Sequence, residues 1–350
     1  MMRFGMVVPQ GCRLDLAGID PLQHWGVMAG LARRADEGDA WSGIWLHDHL
    51  QTLPTAVEEA THELWAVTAA LAAVTVRVRL GQVGSCLAGR HPAVLAKTAA
   101  TVDVISEGRL DVGLGAIRHP EEWRAYGLTV PEFAEQVTDL REAAQIMRQA
   151  WTTGELDFVG ERYRTDGGIC RPLPVQAAAT GRGLPLWLSC AGEPALLRVA
   201  AEEADGVHLS GDPEEFAVQS ELLAQRCHEV DRDPAEIMRA GTFDVVIGLD
   251  EDDVRRRVDW YRGHLTAAGV TEGIGLSAVE ELIRQPLVGT PETIVHTLQG
   301  LQAQGMGYAI CYFPESAYDV SGLDLFERAV IPQLRVPGGG HHRHWPFSLP

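Results

Sequence analysis

The sequence predicts an α/β fold, a (β/α)8 TIM barrel with insertions, and three observations lead to this prediction. Strand-like and helix-like segments alternate along nearly the whole chain, which is the pattern of a parallel sheet wrapped by helices. Eight such pairs are present, the number that closes this barrel. No Gly-x-Gly-x-x-Gly follows the first strand, so the sequence lacks the motif of open dinucleotide-binding sheets.

The predicted strands are short, and the amphipathic segments between them have helical period. Several helices are predicted to begin with a proline in the first turn, often behind an Asp or Thr suited to N-capping. The predicted strands are residues 4–8, 43–46, 80–84, 110–113, 185–188, 206–209, 242–248 and 308–312. The predicted helices are residues 21–37, 63–74, 92–106, 131–152, 194–204, 213–232, 252–268 and 291–304.

Two connections are longer than ordinary loops between a strand and a helix. Residues 156–184 contain a predicted small hairpin, and residues 269–290 contain a short predicted helix at 278–284. Long insertions in a barrel commonly form lids over the substrate or contacts in a dimer. We expect one barrel domain over residues 1–335 and a disordered, Gly- and His-rich tail over residues 336–350.

The composition is that of an ordinary globular protein, with 46% hydrophobic and 22% charged residues. No apolar run reaches the roughly 20 residues that span a bilayer, and the N-terminus lacks the apolar region and cleavage site of a signal peptide. The net charge of −19 argues against binding to nucleic acid or anionic membranes. We therefore expect a cytoplasmic protein with a small-molecule substrate and without nucleic-acid or membrane partners.

Two kinds of catalytic site are poorly supported by the sequence. His47 and His49 have the spacing of metal ligands on one face of a strand, but a metal-dependent barrel needs further ligands on later strands. Those strands end without a histidine beyond the strand-internal His208. A nucleophilic serine or cysteine lacks its usual motif, and the six scattered cysteines are predicted to be buried or free thiols. We expect no bound metal.

Small residues are concentrated where three predicted strands end, and active sites of barrels lie at the carboxyl ends of their strands. Any one of these glycines could simply make a tight turn, but together they let the backbone approach a flat ring and a phosphate closely. Glu193 precedes Pro194, which begins a helix whose free N–H groups favour an anion. The pattern favours a flavin-type cofactor. The small residues are Gly84, Gly115, Ala116, Ala191 and Gly192.

Five stretches of the chain resemble the luciferase-like monooxygenase superfamily, and most closely its branch that uses the deazaflavin coenzyme F420. The resemblance covers nearly the whole chain to about Arg335. It implies a (β/α)8 barrel that is usually dimeric, and an oxidoreductase. The stretches are GIWLHDHL, LGQVGSCLAGRHPAVLAKTAATVDVISEGRLDVGLGA, EEWRAYG, LPLWLSCAGEPALLRVAAEEADGV and LVGTPETIVHTL.

The resemblance also implies roles for individual residues. Asp48 and His49 match an Asp-His pair whose histidine lies near the reactive carbon of the ring and can shuttle a proton. A non-proline cis peptide bond of the family would fall between Val83 and Gly84. Turns around Gly192 and Gly211 would bind phosphate. The residues expected to bind the cofactor are Val83, Gly84, Ser85, Gly115, Ala116, Ile117, Ala191, Gly192, Glu193, Ser210, Gly211 and Arg284.

Departures from the family pattern concern the substrate and the cofactor tail. Sugar-phosphate dehydrogenases of this branch carry a tryptophan where this chain has Leu53, and an acidic residue in the stretch equivalent to residues 116–119. Both departures weaken an assignment to glucose 6-phosphate. His119 either replaces the missing acid or is a surface-loop histidine. Lys97, the only lysine, falls within a predicted helix, so arginines such as Arg284 must meet the acidic tail.

We therefore expect an F420-dependent oxidoreductase that transfers a hydride between deazaflavin and a small organic substrate. Its catalytic candidates are Asp48, His49 and His119, and its expected assembly is a homodimer. Two alternatives stay open: an FMN-dependent monooxygenase of the same superfamily, and a barrel that binds a flavin without catalysis.

Overall fold

The computed structural model describes residues 1–190 and 193–335, and the predicted tail lies outside these residues. The strands are β1 (Arg3–Val7), β2 (Gly43–Leu46), β3 (Arg79–Gln82), β4 (Leu110–Gly115), β5 (Glu155–Val159), β6 (Arg164–Ile169), β7 (Leu186–Ser189), β8 (Gly206–Leu209), β9 (Met238–Ile247), β10 (Leu287–Gly289) and β11 (Tyr308–Tyr312). The helices are α1 (Pro21–Glu37), α2 (Leu64–Val74), α3 (Pro92–Ile105), α4 (Pro120–Ala125), α5 (Phe133–Thr152), α6 (Val175–Thr180), α7 (Pro194–Glu203), α8 (Pro213–Glu229), α9 (Glu251–Ala267), α10 (Glu272–Ile283), α11 (Pro291–Ala303), α12 (Ser321–Ala329) and α13 (Ile331–Leu334). A 3₁₀ turn spans Pro234–Glu236.

By their internal contacts the described residues divide into two compact units. Unit 1 comprises Met1–Glu63, Ser210–Ala217 and the described chain from Ala240 onward. Its strands are all parallel, in the order β10-β9-β11-β1-β2. Unit 2 comprises Leu64–Leu209 and Val218–Arg239, with parallel strands in the order β3-β4-β7-β8 and the antiparallel hairpin β5–β6.

The predicted fold class, a (β/α)8 barrel with insertions, is confirmed. All eight predicted strands are present as β1–β4, β7–β9 and β11, and the predicted hairpin is β5–β6. The strand predicted at 242–248 begins earlier, at Met238, and β10 is an additional short strand paired with β9. The single domain over residues 1–335 stays a prediction.

Helix α10 begins six residues before the short helix that the sequence predicts at 278–284. Gly273 and Gly275 disfavour a helix by about 1 kcal/mol each relative to alanine, yet α10 begins at Glu272, an acidic residue that suits the first turn of a helix. In its second half, Val279 and Leu282 are buried in one apolar cluster of unit 1 with side chains of α9. The first turn is exposed, so packing holds only the part of the helix that the sequence predicts.

In unit 1, alternation along β1 sends neighbouring residues to opposite faces of the sheet. Phe4 packs edge-on against Phe326 of α12, with ring centroids 5.9 Å apart. Gly5 faces the other way, where an added Cβ atom would lie 2.4 Å from the ring of Trp45 and 2.8 Å from that of Tyr308. The Trp45 Nε1–H donates to the Tyr308 hydroxyl at 3.2 Å. Glycine at position 5 therefore makes room for two aromatic rings.

In unit 2, one buried arginine joins the end of α2 to the beginning of β4. Arg109 is 4% exposed, and its guanidinium donates to the backbone oxygens of Ala72, Thr75 and Val78 at 2.7–3.0 Å. Its Nε–H donates to the oxygen of Ser106 at 2.7 Å. The planar guanidinium of Arg109 thus donates to several backbone oxygens that the end of a helix leaves without an intrahelical hydrogen bond.

Within the described residues, no helix has the length and apolar character required to cross a membrane.

His208 of β8 supplies a test of this core through the dependence of stability on pH. It is 2% exposed and lies edge-on to Trp187, with ring centroids 5.3 Å apart. Burial lowers the pKa of His208 from 6.5 to about 3. Because the pKa of His208 is lower in the folded state than in the unfolded state, protonation favours the unfolded chain. The contribution of His208 to stability is therefore complete above pH 6.5 and is lost as the pH falls toward 3.

We expect the free energy of unfolding to fall in this window by up to about 1.4 kcal/mol per pH unit through His208 alone. Urea denaturation from pH 7 to pH 4 should therefore give a shallower slope for His208→Gln than for the unchanged chain. His296→Gln, which alters an exposed histidine of α11, should reproduce the original slope. Parallel slopes for His208→Gln and the unchanged chain would contradict the burial argument.

Candidate functional site

In unit 1, Asp48 and His49 follow β2 on a backbone that one glutamine holds in place. Gln10 is 1% exposed. Its Oε1 accepts the N–H of His47 at 2.7 Å, and its Nε2 donates to the oxygen of the same residue at 3.2 Å. Asp48 is buried and His49 is half-buried. The end of β1 therefore fixes the segment that carries the predicted acid-base pair.

The loop that continues from His49 is tied back to the same glutamine. The N–H of His62 donates to the backbone oxygen of Gln10 at 3.0 Å, and the Gln10 Nε2 donates to the oxygen of His62 at 3.3 Å. His62 Nε2 also lies 3.0 Å from Nδ1 of the buried His24, and burial lowers the pKa of His62. Both ends of the loop after β2 are thus anchored in unit 1.

In unit 2, the predicted cofactor residues that follow β3 and end β4 come together. The N–H of Ser85 donates to the oxygen of Gly113 at 2.8 Å, and the N–H of Gly115 donates to the oxygen of Ser85 at 3.1 Å. A Cβ atom on Gly115 would lie 3.1 Å from Cα of Gly84 and 3.3 Å from Cβ of Ser189. The backbones of Gly84 and Gly115 therefore pack directly against each other and against the side chain of Ser189 at the end of β7.

The prediction of a cis peptide bond between Val83 and Gly84 is wrong. In the described part of the chain the cis bonds precede proline, at Leu53–Pro54 and Arg171–Pro172. Gly84 instead has a φ of +102°, which glycine adopts without the steric cost that other residues meet. A non-proline cis bond costs about 3–4 kcal/mol. The bend after β3 is therefore made by the left-handed conformation of glycine.

A cavity of about 410 Å³ adjoins this backbone within unit 2. Gly115, Ala116 and Ile117 line one side of it. The N–H of Ile117 donates to Oε1 of Gln136 at 2.8 Å, which fixes the turn after β4. The lining also contains polar and charged side chains, which are Arg90, His91, Thr129, Gln136, Asp139, Arg162 and Tyr163.

The turn of the β5–β6 hairpin forms a wall of this cavity and is held by one carboxylate. Glu142 of α5 accepts the N–H groups of Glu161, Arg162 and Tyr163 at 2.6, 3.0 and 2.9 Å. The Arg162 Nε–H donates to Asp139 at 2.7 Å, and burial raises the pKa of Tyr163 to about 12. The insertion predicted from sequence is therefore anchored to the helix beneath it.

The other predicted site residues lie next to three different helices. His119 precedes α4, with Nδ1 3.5 Å from a carboxylate oxygen of Glu121 and its side chain 40% exposed. Glu193 is the half-buried N-cap residue of α7, whereas Ala191 and Gly192 lie outside the described residues. Arg284 ends α10 with its side chain 76% exposed, 3.4 Å from Glu280.

Ser210 and Gly211 form a turn of unit 1 whose glycine is required by packing. The Ser210 hydroxyl accepts the N–H of Asp212 at 3.1 Å. A Cβ atom on Gly211 would lie 2.8 Å from the Phe243 ring and 3.0 Å from the oxygen of Thr242.

Within residues 1–190 and 193–335, no group of three His, Cys, Asp or Glu side chains could hold a metal ion.

A polar cluster in unit 1 was missed by the sequence analysis. Arg13 donates through both terminal nitrogens to the two carboxylate oxygens of Asp244, at 2.6 and 2.7 Å. Its guanidinium lies over the Tyr312 ring, 4.1 Å from the centroid. Asp244 and Tyr312 are paired in register on β9 and β11. The rule that active residues lie at strand ends points to Arg13 after β1 and to Tyr312 at the end of β11, but not to Asp244, which lies within β9.

Comparison with known proteins agrees with this architecture. The family model described as luciferase-like monooxygenase matches residues 2–307. An F420-dependent glucose-6-phosphate dehydrogenase of Amycolatopsis mediterranei is 32% identical over 84% of this chain and 90% of its own length. One of Nocardia farcinica is 28% identical over 77% and 82%, respectively.

A solved structure shares the fold at lower identity. The F420-dependent tetrahydromethanopterin reductase of Methanopyrus kandleri superposes with a TM-score of 0.74 at 20% identity, over 95% of this chain and 99% of its own. The family model covers most of the chain, as the sequence motifs indicate. The chain belongs to the luciferase-like monooxygenase family.

Proposed function

We propose that this chain is a coenzyme F420-dependent oxidoreductase that transfers a hydride between the deazaflavin and a small organic substrate. The observation that carries the proposal is the bare backbone at Gly84 and Gly115 beside a cavity that contains Arg90. A flat ring needs a surface without side chains, and an acidic tail needs a cation. The F420-dependent relatives support the same choice of cofactor.

Two arginines line the cavity of unit 2 and could contact an acidic tail. Arg162 pairs with Asp139 and Glu135, and Arg90 is half-buried and donates to the oxygen of Cys86 at 3.3 Å. Lys97 lies on α3 and donates to the backbone oxygen of Arg171. Because it lines the cavity, we add Arg90 to the cofactor residues expected from sequence.

The cofactor, when bound, supplies a carrier of electron pairs in the form of hydride. Val83, Gly84, Ser85, Gly115, Ala116 and Ile117 would support its ring, and Ala191, Gly192, Glu193, Ser210, Gly211 and Arg284 would hold its phosphate and tail. His49 would hold or move one proton at an imidazole nitrogen, with Asp48 beside it. Gln10 fixes the backbone at His47, two residues before this imidazole. His119 is the alternative acid.

We further propose a cytoplasmic location and a homodimer. All six cysteines are buried, and thiols suit a reducing compartment. The inserted hairpin exposes Val159 and Ile169, at 69% and 79%. Apolar side chains on an insertion suit a contact with a second copy of the chain.

The cofactor assignment can be tested by titration, followed through tryptophan fluorescence. We expect F420 to bind with a dissociation constant in the micromolar range or below, and FMN to bind much more weakly, because the acidic tail gains contacts to arginine. Tight binding of FMN together with oxygen-dependent turnover would instead establish the monooxygenase. Binding of either cofactor without turnover of any substrate would favour the non-catalytic barrel.

The contribution of Arg284 can be separated from nonspecific charge effects. If Arg284 contacts the phosphate or tail, Arg284→Ala should weaken F420 binding about 5- to 30-fold, the value of a charge-assisted hydrogen bond at an exposed site. Arg255→Ala is the matched control, since Arg255 is similarly exposed and also pairs with a neighbouring carboxylate. Equal small effects of both substitutions would remove Arg284 from the site.

The role of His49 is tested by comparing rate with stability. With a substrate found by screening carbonyl and imine compounds against reduced F420, His49→Ala should lower the single-turnover rate about 10²- to 10⁴-fold, because proton transfer loses its side chain. F420 affinity and melting temperature should change little. A stable variant that transfers hydride at the original rate would exclude His49, and His119→Ala would then be the next variant.

A further inference from the structure

A second cavity, of about 440 Å³, lies in unit 1 at the carboxyl ends of two neighbouring strands. Leu249 follows β9 and Glu315 follows β11, and both residues line this cavity. Side chains of α9 and of the segment that begins α12 complete the lining. Barrels bind ligands at this rim of strand ends, and the volume is that of a site for a small molecule. None of the residues assigned to the cofactor lines it.

Glu315 is a buried carboxyl group with one oxygen committed and the other available. It is 8% exposed. Its Oε1 accepts a hydrogen bond from Arg257, and a Cβ atom on Gly322 would lie 2.5 Å from this oxygen. Its Oε2 accepts no hydrogen bond from any residue in the described part of the chain. A donor on a ligand in the cavity would therefore complete the hydrogen bonds of a buried acid.

The arginines beside Glu315 are already paired. Arg257 donates through Nε to Asp253 at 3.2 Å and through a terminal nitrogen to the Ser321 hydroxyl at 2.8 Å, besides its bond to Glu315. Arg256 pairs with Asp253 at 2.9 Å, and its side chain is 72% exposed, so solvent screens its charge. Neither guanidinium is therefore well suited to bind an anion in the cavity.

The two helix starts at this rim are also satisfied by carboxylates. At α9, Asp250 accepts the N–H of Asp253 at 2.8 Å. At α12, Asp319 lines the cavity and accepts the N–H of Ser321 at 2.8 Å. Free N–H groups at a helix start would favour a phosphate, but here carboxylate oxygens already accept from them. The lining contains three carboxylates, with that of Glu315, and two guanidiniums, so its charge favours a cation.

Trp260 gives the cavity an aromatic wall that suits a cation. It is half-buried and lines the cavity. The ring of His264 stacks on its indole, with centroids 4.9 Å apart and planes 11° apart, which fixes the orientation of the indole. Indole attracts a positive charge more strongly than the other aromatic side chains do. An organic cation in this cavity can therefore contact both an acid and an aromatic ring.

We propose that this cavity is a second ligand site, which binds an organic ammonium ion. The Glu315 carboxylate accepts an N–H of the ammonium group, and the apolar body of the ligand packs against Trp260 and Leu249. A bare metal ion does not fit, since no three His, Cys, Asp or Glu side chains of the described chain could hold one. The site is independent of the proposed cofactor, because it uses none of the cofactor residues.

The test compares three probes that share one ring and differ in charge, with the full chain at pH 8. The probes are benzylamine, which is an ammonium ion at this pH, benzyl alcohol and benzoate. Ligand-detected NMR measures their dissociation constants. We expect the ammonium ion to bind most tightly. Glu315→Gln should weaken its binding about 5- to 30-fold, the value of a charge-assisted hydrogen bond at a partly solvated site, and should leave benzyl alcohol nearly unchanged.

Two further variants separate the site from general effects of charge and folding. Asp252→Asn removes the same charge on α9 from a side chain that is 78% exposed and lies outside the cavity, so it should leave ammonium binding unchanged. Trp260→Leu should weaken the ammonium ion about 2- to 5-fold more than benzyl alcohol, because the indole attracts only the cation. This variant tests the site without altering Glu315.

The dependence on pH provides a measurement in the unchanged chain. Burial raises the pKa of Glu315 to about 7, against the lowering effect of Arg257 and with the added effect of Asp319 and Asp253. Because the ammonium ion binds the ionised carboxylate, its affinity should rise about 5- to 10-fold from pH 6 to pH 8, as the ionised fraction increases. In Glu315→Gln this rise should disappear.

Tighter binding of benzoate than of the ammonium ion would overturn the proposal, as would equal losses in Glu315→Gln and Asp252→Asn or an affinity that does not change with pH. A loss of F420 affinity in Glu315→Gln would assign this residue to the cofactor and reject the ammonium site. Unchanged F420 affinity together with lost ammonium binding would support the second site. Selective ammonium binding in a chain that binds no F420 would also support it, and would reject only the cofactor.

Discussion

Parallel strands approach each other closely at glycines, because a neighbouring side chain or backbone atom fills the space that a Cβ atom would occupy. A Cβ atom on Gly206 would lie 2.4 Å from the Trp187 ring, and one on Gly113 would lie 1.9 Å from the oxygen of Gln82. Gly5 has the same relation to Trp45, and Gly241 to Phe243. Large rings thus fill the interior while strands keep their register. Any larger residue at these positions would force neighbouring strands apart.

The same constraint separates two kinds of surface at the strand ends. In unit 2, the backbones at the ends of β3 and β4 meet at Gly84 and Gly115, and the adjoining cavity has polar groups from loops and the hairpin. In unit 1, side chains lie at and beyond the strand ends instead, with Asp48 and His49 after β2 and Tyr312 as the last residue of β11.

Much of the fold could be predicted from sequence, because each main strand is a short apolar segment next to a helix with its own start residues. The exceptions depend on contacts between distant residues. β10 has three residues and ends in glycine, too little for a periodic pattern. The first turn of α10 contains two glycines and is exposed, so neither its propensity nor an apolar face indicates a helix there. The cis peptide bond predicted between Val83 and Gly84 was wrong, because the positive φ of Gly84 makes the bend instead.

The site could be predicted only in part. Position after a strand identified Asp48 and His49, and small residues identified Gly84 and Gly115. Tyr312 was missed because a tyrosine in an apolar strand resembles an ordinary core residue, and only the surrounding structure reveals that its hydroxyl lacks a partner among the described residues. Gly211 was assigned to phosphate binding, whereas its contact with Phe243 explains the glycine by packing.

The scarcity of lysine has a practical consequence. Arg109 and Arg232 each donate to several backbone oxygens near helix ends, which a single ammonium group on a flexible stem does less well. Lys97 is the only lysine of the chain, and it lies exposed on α3. A reagent that acylates side-chain amines therefore has one target here. Coupling to a solid support through that amine would present every molecule in the same orientation.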